Sequence, residues 1–177
     1  MKDLKDNKDI LSKLFIDFYD DLFRFAKRFE KEEETIKDLI QELFFNLWKK
    51  KIALNENENI KSYLFRSLRN IWNNKYNADQ RIAWKEFRHE ETFVYQPEDF
   101  NADTDFSKNQ KKVLLSELNN LPEKQREAVY LKYFQGFDIE EISEILNMNR
   151  QSVRNNLYRA MTKLRDKLLI QFFLSII

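Results

Sequence analysis

The sequence predicts an all-α fold, and three observations carry that expectation. Gly appears once and Pro twice in 177 residues. Apolar residues recur at three- and four-residue spacing through most of the chain, and turn-forming residues cluster in a few places. All-β folds need turn residues about every 8–12 positions, and dinucleotide-binding α/β folds need Gly-rich loops. Charged residues make up 34% and apolar residues 42%, the balance of a folded chain and not a disordered one. The absence of Cys removes disulfides, thiolate metal sites and Cys nucleophiles, and fits a reducing cytoplasm. A single His89 argues against His-based metal clusters, so no cofactor or metal is expected. The start, MKDLKDNKD, is polar, and the longest apolar run, LLIQFFLSII at the C-terminus, is too short to span a bilayer.

The first helix is expected over 9–29, with Ile10, Leu14, Phe18, Leu22, Phe25 and Phe29 near a 3.6-residue period. The second covers 35–50, with Ile36, Leu39, Ile40, Leu43 and Leu47 inward and Thr35 as N-cap, Asp38 following three residues later. Residues 51–59 are Asn-rich and read as a loop. A third helix covers 60–77, with Ile60, Leu64, Leu68 and Ile71 inward. From 79 to 108 periodicity weakens. A short helix fits around Gln80–Arg88, and Pro97 with Asp99, Asn101 and Asp103 reads as extended linker.

Beyond 109 the pattern becomes regular. Lys111–Leu121 reads as one helix, followed by Pro122 at the first position of the next, Glu123–Tyr133. Gly136 stands where a helix ending needs positive φ. Asp138 and Glu141 have capping-box spacing for a helix through Ile145, 146–149 is a tight turn, and Arg150 opens a helix reaching at least Leu168.

The near-zero net charge is unevenly spread. Residues 1–78 carry net +2, 79–108 net −4 and 109–177 net +3. This predicts two domains, 1–78 and 109–177, joined by an acidic linker over 79–108. Residues 60–78 hold Lys61, Arg66, Arg69 and Lys75 with no acid. Residues 147–165 hold Arg150, Arg154, Arg159, Lys163 and Arg165 with no acid. Each run could be a solvated face; two of them on helices point to a polyanionic partner.

Segment 138–161 has helix-turn-helix spacing. Ile139, Ile142 and Ile145 face inward on its first helix, Met148 sits in the turn, and Val153, Leu157, Ala160 and Leu164 stripe the second. The opposite face carries Gln151, Arg154, Asn155 and Tyr158, flanked by Arg150 and Arg159. Arg suits guanine, and Asn or Gln suits adenine. A plain helical hairpin with a polar outside is the alternative.

On 60–77 the polar face carries Arg66, Arg69, Asn73 and Tyr76, flanked by Phe65 and Trp72. Cations interleaved with rings suit single-stranded DNA; the alternative is that the rings are core residues packing on the first helix, the favoured reading for Phe65 and an even one for Trp72. On 35–50 the outer face shows Asp38, Gln41, Glu42, Phe45 and Trp48. Large aromatics beside acids are typical of a protein interface, or of a second core face.

LNNLPEKQREAVYLKYFQGFDIEEISEILNMNRQSVRNNLYRAMTKLRDKL resembles the promoter-reading C-terminal domain of extracytoplasmic-function (ECF) sigma factors of the sigma-70 family. The matching landmarks are Leu121-Pro122, Arg126, Tyr133, Gly136, Glu141-Ile142, Val153-Arg154 and Tyr158-Arg159-Ala160. IKDLIQELFFNLWKK resembles the family's polymerase-binding helix through Asp38, Leu39, Gln41, Glu42, Phe44 and Trp48. YLFRSLRNIWNNKY resembles its −10-engaging helix through Tyr63-Leu64, Arg69 and Asn70. Asn147 stands where relatives often have Gly, and Asn tolerates the left-handed conformation.

The resemblance implies a sigma factor that binds core RNA polymerase, at the β′ clamp helices and the β flap, and performs no chemistry of its own. It implies a −35 element read as duplex and a −10 element held single-stranded; the faces described above assign the first to 150–159 and, with Asn70 from the resemblance, the second to Arg66, Arg69, Asn70, Trp72, Asn73 and Tyr76. The acidic segment would be the linker threading the polymerase, and an anti-sigma factor or another recruiting protein would be a further partner. Two rivals remain: a helix-turn-helix regulator acting without polymerase, and a helical metal-dependent phosphohydrolase, which the single His disfavours.

Overall fold

The computed structural model describes the backbone over 2–50, 59–82, 93–100 and 108–174, and side chains over 9–49, 59–75, 93–97, 99–100 and 108–167. Residues 51–58 of the loop expected over 51–59, the part of the short helix beyond Ile82, His89, Asn101 and Asp103 of the linker, the Tyr76 side chain and the side chains of the apolar tail lie outside the described residues. Among the described residues there are seven α-helices and no strand, and the chain divides into two units at Glu90/Glu91.

The first unit is three mutually packed helices: α1 (Lys2–Ala26), α2 (Glu33–Lys50) and α3 (Ile60–Ile82). Its core is Leu22, Phe25, Ala26 and Phe29 against Ile36, Leu39, Ile40, Leu43 and Leu47, and against Leu64, Phe65, Leu68 and Trp72. Burial of this apolar area is the main force holding the unit together. Only the C-terminal half of the expected α1 stripe is in the core. Ile10 is exposed, and Leu14 and Phe18 are half-buried. Helix α2 begins two residues before Thr35, which is therefore inside the helix and not its cap. Glu30 supplies the turn instead, its carboxylate accepting from the Lys31 and Glu32 amides at 2.8 and 3.1 Å. Glu33 and Glu34 in the first turn complement the helix dipole.

The second unit holds α4 (Lys108–Asn119), α5 (Glu123–Val129), α6 (Ile139–Ile145) and α7 (Arg150–Leu174). Pro122 is the N-cap of α5, one position earlier than expected. Helix α5 widens into a π-type turn over Tyr130–Phe134, where the Gln135 amide donates to the Tyr130 carbonyl at 3.1 Å. Gly136 then takes φ 78°. Helices α4, α5 and α6 all pack on α7. Arg126 is buried, and its Nη1 donates to the Asn119 carbonyl at 2.6 Å, tying α5 to the end of α4.

Within the expected linker, residues 93–100 carry side chains that pack into the second unit. Phe93 and Tyr95 are buried in the second unit, Tyr95 at 2% exposure. Their rings join Tyr130 and Phe134 in a cluster with centroids 5.3–6.1 Å apart. The Tyr95 amide donates to Asn119 Oδ1 at 2.8 Å, Asn119 Nδ2 donates back to the Tyr95 carbonyl at 3.2 Å, and the Tyr95 hydroxyl donates to the Arg126 carbonyl at 3.0 Å. A 3-10 turn at Pro97–Asp99 follows, closed by the Gln96 amide donating to Asp99 Oδ2 at 2.7 Å. Burial of two aromatic side chains outweighs the acidic, Pro-containing composition of the surrounding segment.

Candidate nucleic-acid and protein interfaces

The helix-turn-helix is built by local chemistry. Asp138 Oδ1 accepts from the Glu141 amide at 2.8 Å and Glu141 Oε2 accepts from the Asp138 amide at 2.7 Å, a complete capping box opening α6. The α6 ending is a Schellman turn. Met148 N donates to the Ser143 carbonyl at 2.9 Å and Asn147 N to the Glu144 carbonyl at 3.3 Å, with Asn147 at φ 49°. Asn149 Oδ1 then accepts from the Ser152 amide at 2.7 Å and caps α7. Two caps and one left-handed residue thus fix the direction in which α7 leaves α6.

Ile142, Ile145, Val153, Leu157, Ala160 and Leu164 are buried and Ile139 is half-buried. Arg150, Gln151, Arg154, Asn155, Tyr158 and Arg159 are all exposed on α7, Tyr158 at 74%. Gln151 Nε2 donates to Asn155 Oδ1 at 3.1 Å, and Arg150 is paired with Glu140. Lys163, one of the basic run, donates to the Asn120 carbonyl at 2.8 Å, so it closes the α4 end.

On α2, Asp38, Gln41, Glu42, Phe45 and Trp48 are all exposed, Phe45 at 63% and Trp48 at 45%. The Lys37 ammonium is held above the ordinary lysine range by its hydrogen bond to Glu34 at 2.7 Å and by that carboxylate's charge. That cation is balanced by its own neighbour, which leaves Asp38 and Glu42 to set the sign of the face. Beside Trp48, Leu11, Phe15, Ile16 and Phe44 line an apolar groove of about 460 Å³.

The α3 residues divide. Arg66 and Asn70 are exposed and Asn73 is half-buried. Trp72 is not on the polar face. It is 5% exposed and packs on Phe29 with centroids 4.9 Å apart, so neither ring face is open to a base. Arg69 is half-buried, its guanidinium 4.8 Å from the Phe29 ring and 5.0 Å from Trp72. These two rings and one cation form a structural cation–π stack. Phe65 is fully buried against Phe25. Lys61 lies 3.8 Å from Asp21 Oδ2.

A cleft of about 480 Å³ between α2 and α3, lined among others by Glu42, Asn46, Tyr63, Ser67, Asn70 and Asn74, escaped the sequence reading. Its signal was the four-residue spacing of Asn70 and Asn74, which places both amides on the side of α3 that meets α2. Among the described residues no cluster of His, Cys, Asp and Glu could hold a metal, and no helix is long and apolar enough to cross a membrane.

Comparison with known proteins matches residues 14–82 to sigma-70 region 2 and residues 111–164 to sigma-70 region 4. The chain is 25% identical to the RNA polymerase sigma factor YlaC of Bacillus subtilis, over 92% of this chain and 94% of that one. It is 26% identical to the sigma factor SigV of the same organism, over 95% and 96%. In fold it is similar to the sigma factor RpoE solved with the anti-sigma factor NepR from Bartonella quintana, with TM-score 0.63 and 23% identity over 92% of this chain and 98% of that one. It is similar also to the structure of CnrH with the cytosolic domain of CnrY, with TM-score 0.58 and 19% identity over 94% and 92%. With both conserved sigma regions matched in order across two helical units, the chain belongs to the sigma-70 family, as an ECF-type sigma factor that directs promoter-specific transcription initiation.

Proposed function

We propose that the two units divide the work of a sigma factor in the cytoplasm, with no covalent chemistry of their own. The exposed face of α7 carries this reading: Arg150, Gln151, Arg154, Asn155, Tyr158 and Arg159 stand together on one side of a capped recognition helix. That face reads a duplex −35 element, arginines at guanine or phosphate and amides at adenine. In the first unit, Arg66 and Asn70, with Asn73 and Tyr76, engage the unwound −10 strand. The Asn-lined cleft beside them offers amides and hydroxyls to an unpaired base. Arg69 and Trp72 support that surface from beneath.

The α2 face of Asp38, Gln41, Glu42, Phe45 and Trp48 takes the β′ clamp helices of core RNA polymerase, and the second unit meets the β flap. Two exposed rings among acids need a partner that is apolar and basic. The apolar groove beside Trp48 suits a helix of an anti-sigma factor, in line with the anti-sigma complex of the structural relative.

Reconstitution with core polymerase, with sequencing of the transcripts produced, tests the reading. Glu42→Lys reverses charge on an exposed residue, so stability should stay within about 0.5 kcal/mol of wild type. Core recovery in a pull-down should fall by an amount equivalent to about 2–5 kcal/mol. Equal recovery by a folded variant would remove this face from the polymerase contact.

A further inference from the structure

Two side chains on the exposed face of α7 are bonded to each other. Gln151 Nε2 donates to Asn155 Oδ1 at 3.1 Å, across one turn of the helix. Both residues are exposed, and the pair lies at the end of α7 nearest the turn: Gln151 is the second residue of the helix and Asn155 the sixth. Recognition helices present their N-terminal residues to base edges. The bond makes the two amides unequal. A carboxamide nitrogen carries two N–H groups, and the one beside the carbonyl forms with it the edge that matches N7 and N6 of adenine. Gln151 can donate its other N–H to Asn155 and keep that edge whole. The Asn155 carbonyl, which an adenine N6–H would need, already holds a donor.

We propose that Gln151 and Asn155 form a single adenine reader, in which Gln151 meets the base and Asn155 is a positioning residue that holds it. This rests on the reading that α7 enters duplex −35 DNA. A glutamine side chain gives up rotamer freedom when it docks on a base, and one that is already ordered gives up less. The backbone beneath Gln151 is fixed as well, because Asn149 caps α7 at the Ser152 amide. Its neighbour Arg150 is held by Glu140 of α6. The first turn of α7 therefore offers side chains that are ordered before DNA arrives. Prior ordering of one such side chain corresponds to about two- to tenfold in the preference for its base.

Two readouts test the pair on the full chain. In the first, the protein with core polymerase selects from a pool of promoter fragments whose −35 element is randomised, the promoter being one found by transcript sequencing. Gln151→Ala should abolish the preference for adenine at one position. Asn155→Ala should lower that same preference by about two- to tenfold and leave the other positions as they are. The double variant should match Gln151→Ala at that position. Asn155→Asp should restore the preference, because a carboxylate still accepts from Gln151 Nε2, while binding to every fragment weakens as the added charge meets phosphate. In the second, nitrogen-15 relaxation on the free chain follows the Gln151 side-chain amide, identified by its loss in Gln151→Ala. That amide should become more mobile in Asn155→Ala and stay as ordered as wild type in Asn155→Asp.

Both residues are exposed, so all variants should melt as wild type by circular dichroism. Relaxed preference at a different position in Asn155→Ala would overturn the pair and make Asn155 a reader in its own right. So would an Asn155→Asp variant that fails to restore the adenine preference, or a Gln151 amide equally mobile with and without Asn155. A wild-type pool with no base enriched at −35 would sink the reading of α7 itself, whereas enrichment that ignores Asn155 sinks only the pair.

Discussion

Helices α3 and α7 carry the same kinds of residue, cations and aromatics on a polar face, and the fold uses them in opposite ways. On α3, Phe65 and Trp72 are core and Arg69 lies over the Phe29 and Trp72 rings. On α7, Arg154, Tyr158 and Arg159 stay in solvent. The difference lies in the width of the apolar stripe. Helix α3 packs against both α1 and α2, and its buried arc runs through Leu64, Phe65, Leu68 and Trp72. Helix α7 packs on α4, α5 and α6, and its buried residues keep to the narrower line of Val153, Leu157, Ala160 and Leu164. A ring at the border of a wide stripe is drawn into the core, and one opposite a narrow stripe is left for a ligand.

The strongest way to break this comparison is to truncate one aromatic from each helix. Trp72→Ala should destabilise the first unit by about 3–5 kcal/mol in urea unfolding followed by circular dichroism. Tyr158→Ala should leave stability within about 0.5 kcal/mol and weaken promoter binding instead. Similar stability losses in both would erase the distinction. Next in size, Arg154→Ala should cost about 1–3 kcal/mol at a single base position and relax preference there, read from a binding series over substituted −35 sites. A uniform loss at every position would make Arg154 a phosphate contact. The smallest effect sharpens the boundary of the α7 surface. Lys163→Ala removes the hydrogen bond to Asn120 and should cost the second unit about 0.5–1 kcal/mol. The salt dependence of DNA binding should be unaltered, whereas a phosphate-contacting lysine would reduce that slope by about one.

What was legible in the sequence was local. The Asp138–Glu141 box, the positive φ of Gly136 and the left-handed Asn147 are each fixed within a few residues of chain, and their residue types announce them. The exposed set on α7 was legible because a narrow stripe leaves little doubt about what lies opposite. The positions of Trp72 and Arg69 depend on Phe29, more than thirty residues away, which periodicity on α3 alone does not contain. Helix α2 begins early because Glu30, lying before the helix, holds the turn. The packing of Phe93 and Tyr95 was hidden by its setting. Phe93 and Tyr95 are two large rings at alternating positions, but they sit between acids and a proline, and their partner Asn119 is 24 residues away.

The aromatic division between the units has an optical consequence. Trp48, Trp72 and Trp84 all precede Glu91, whereas the cluster around Tyr95 is built from tyrosines and phenylalanines. Light absorbed only by indole therefore reports the first unit alone. Trp72, shielded among Phe29 and Arg69, should shift its emission to the red when that unit opens. Tyrosine is shared between the units, with Tyr19, Tyr63 and Tyr76 in the first and Tyr95, Tyr130, Tyr133 and Tyr158 in the second, so its signal reports the whole molecule. The indole melting curve thus belongs to the first unit, the helical circular-dichroism curve to both, and the gap between them measures how far one unit depends on the other without any added label.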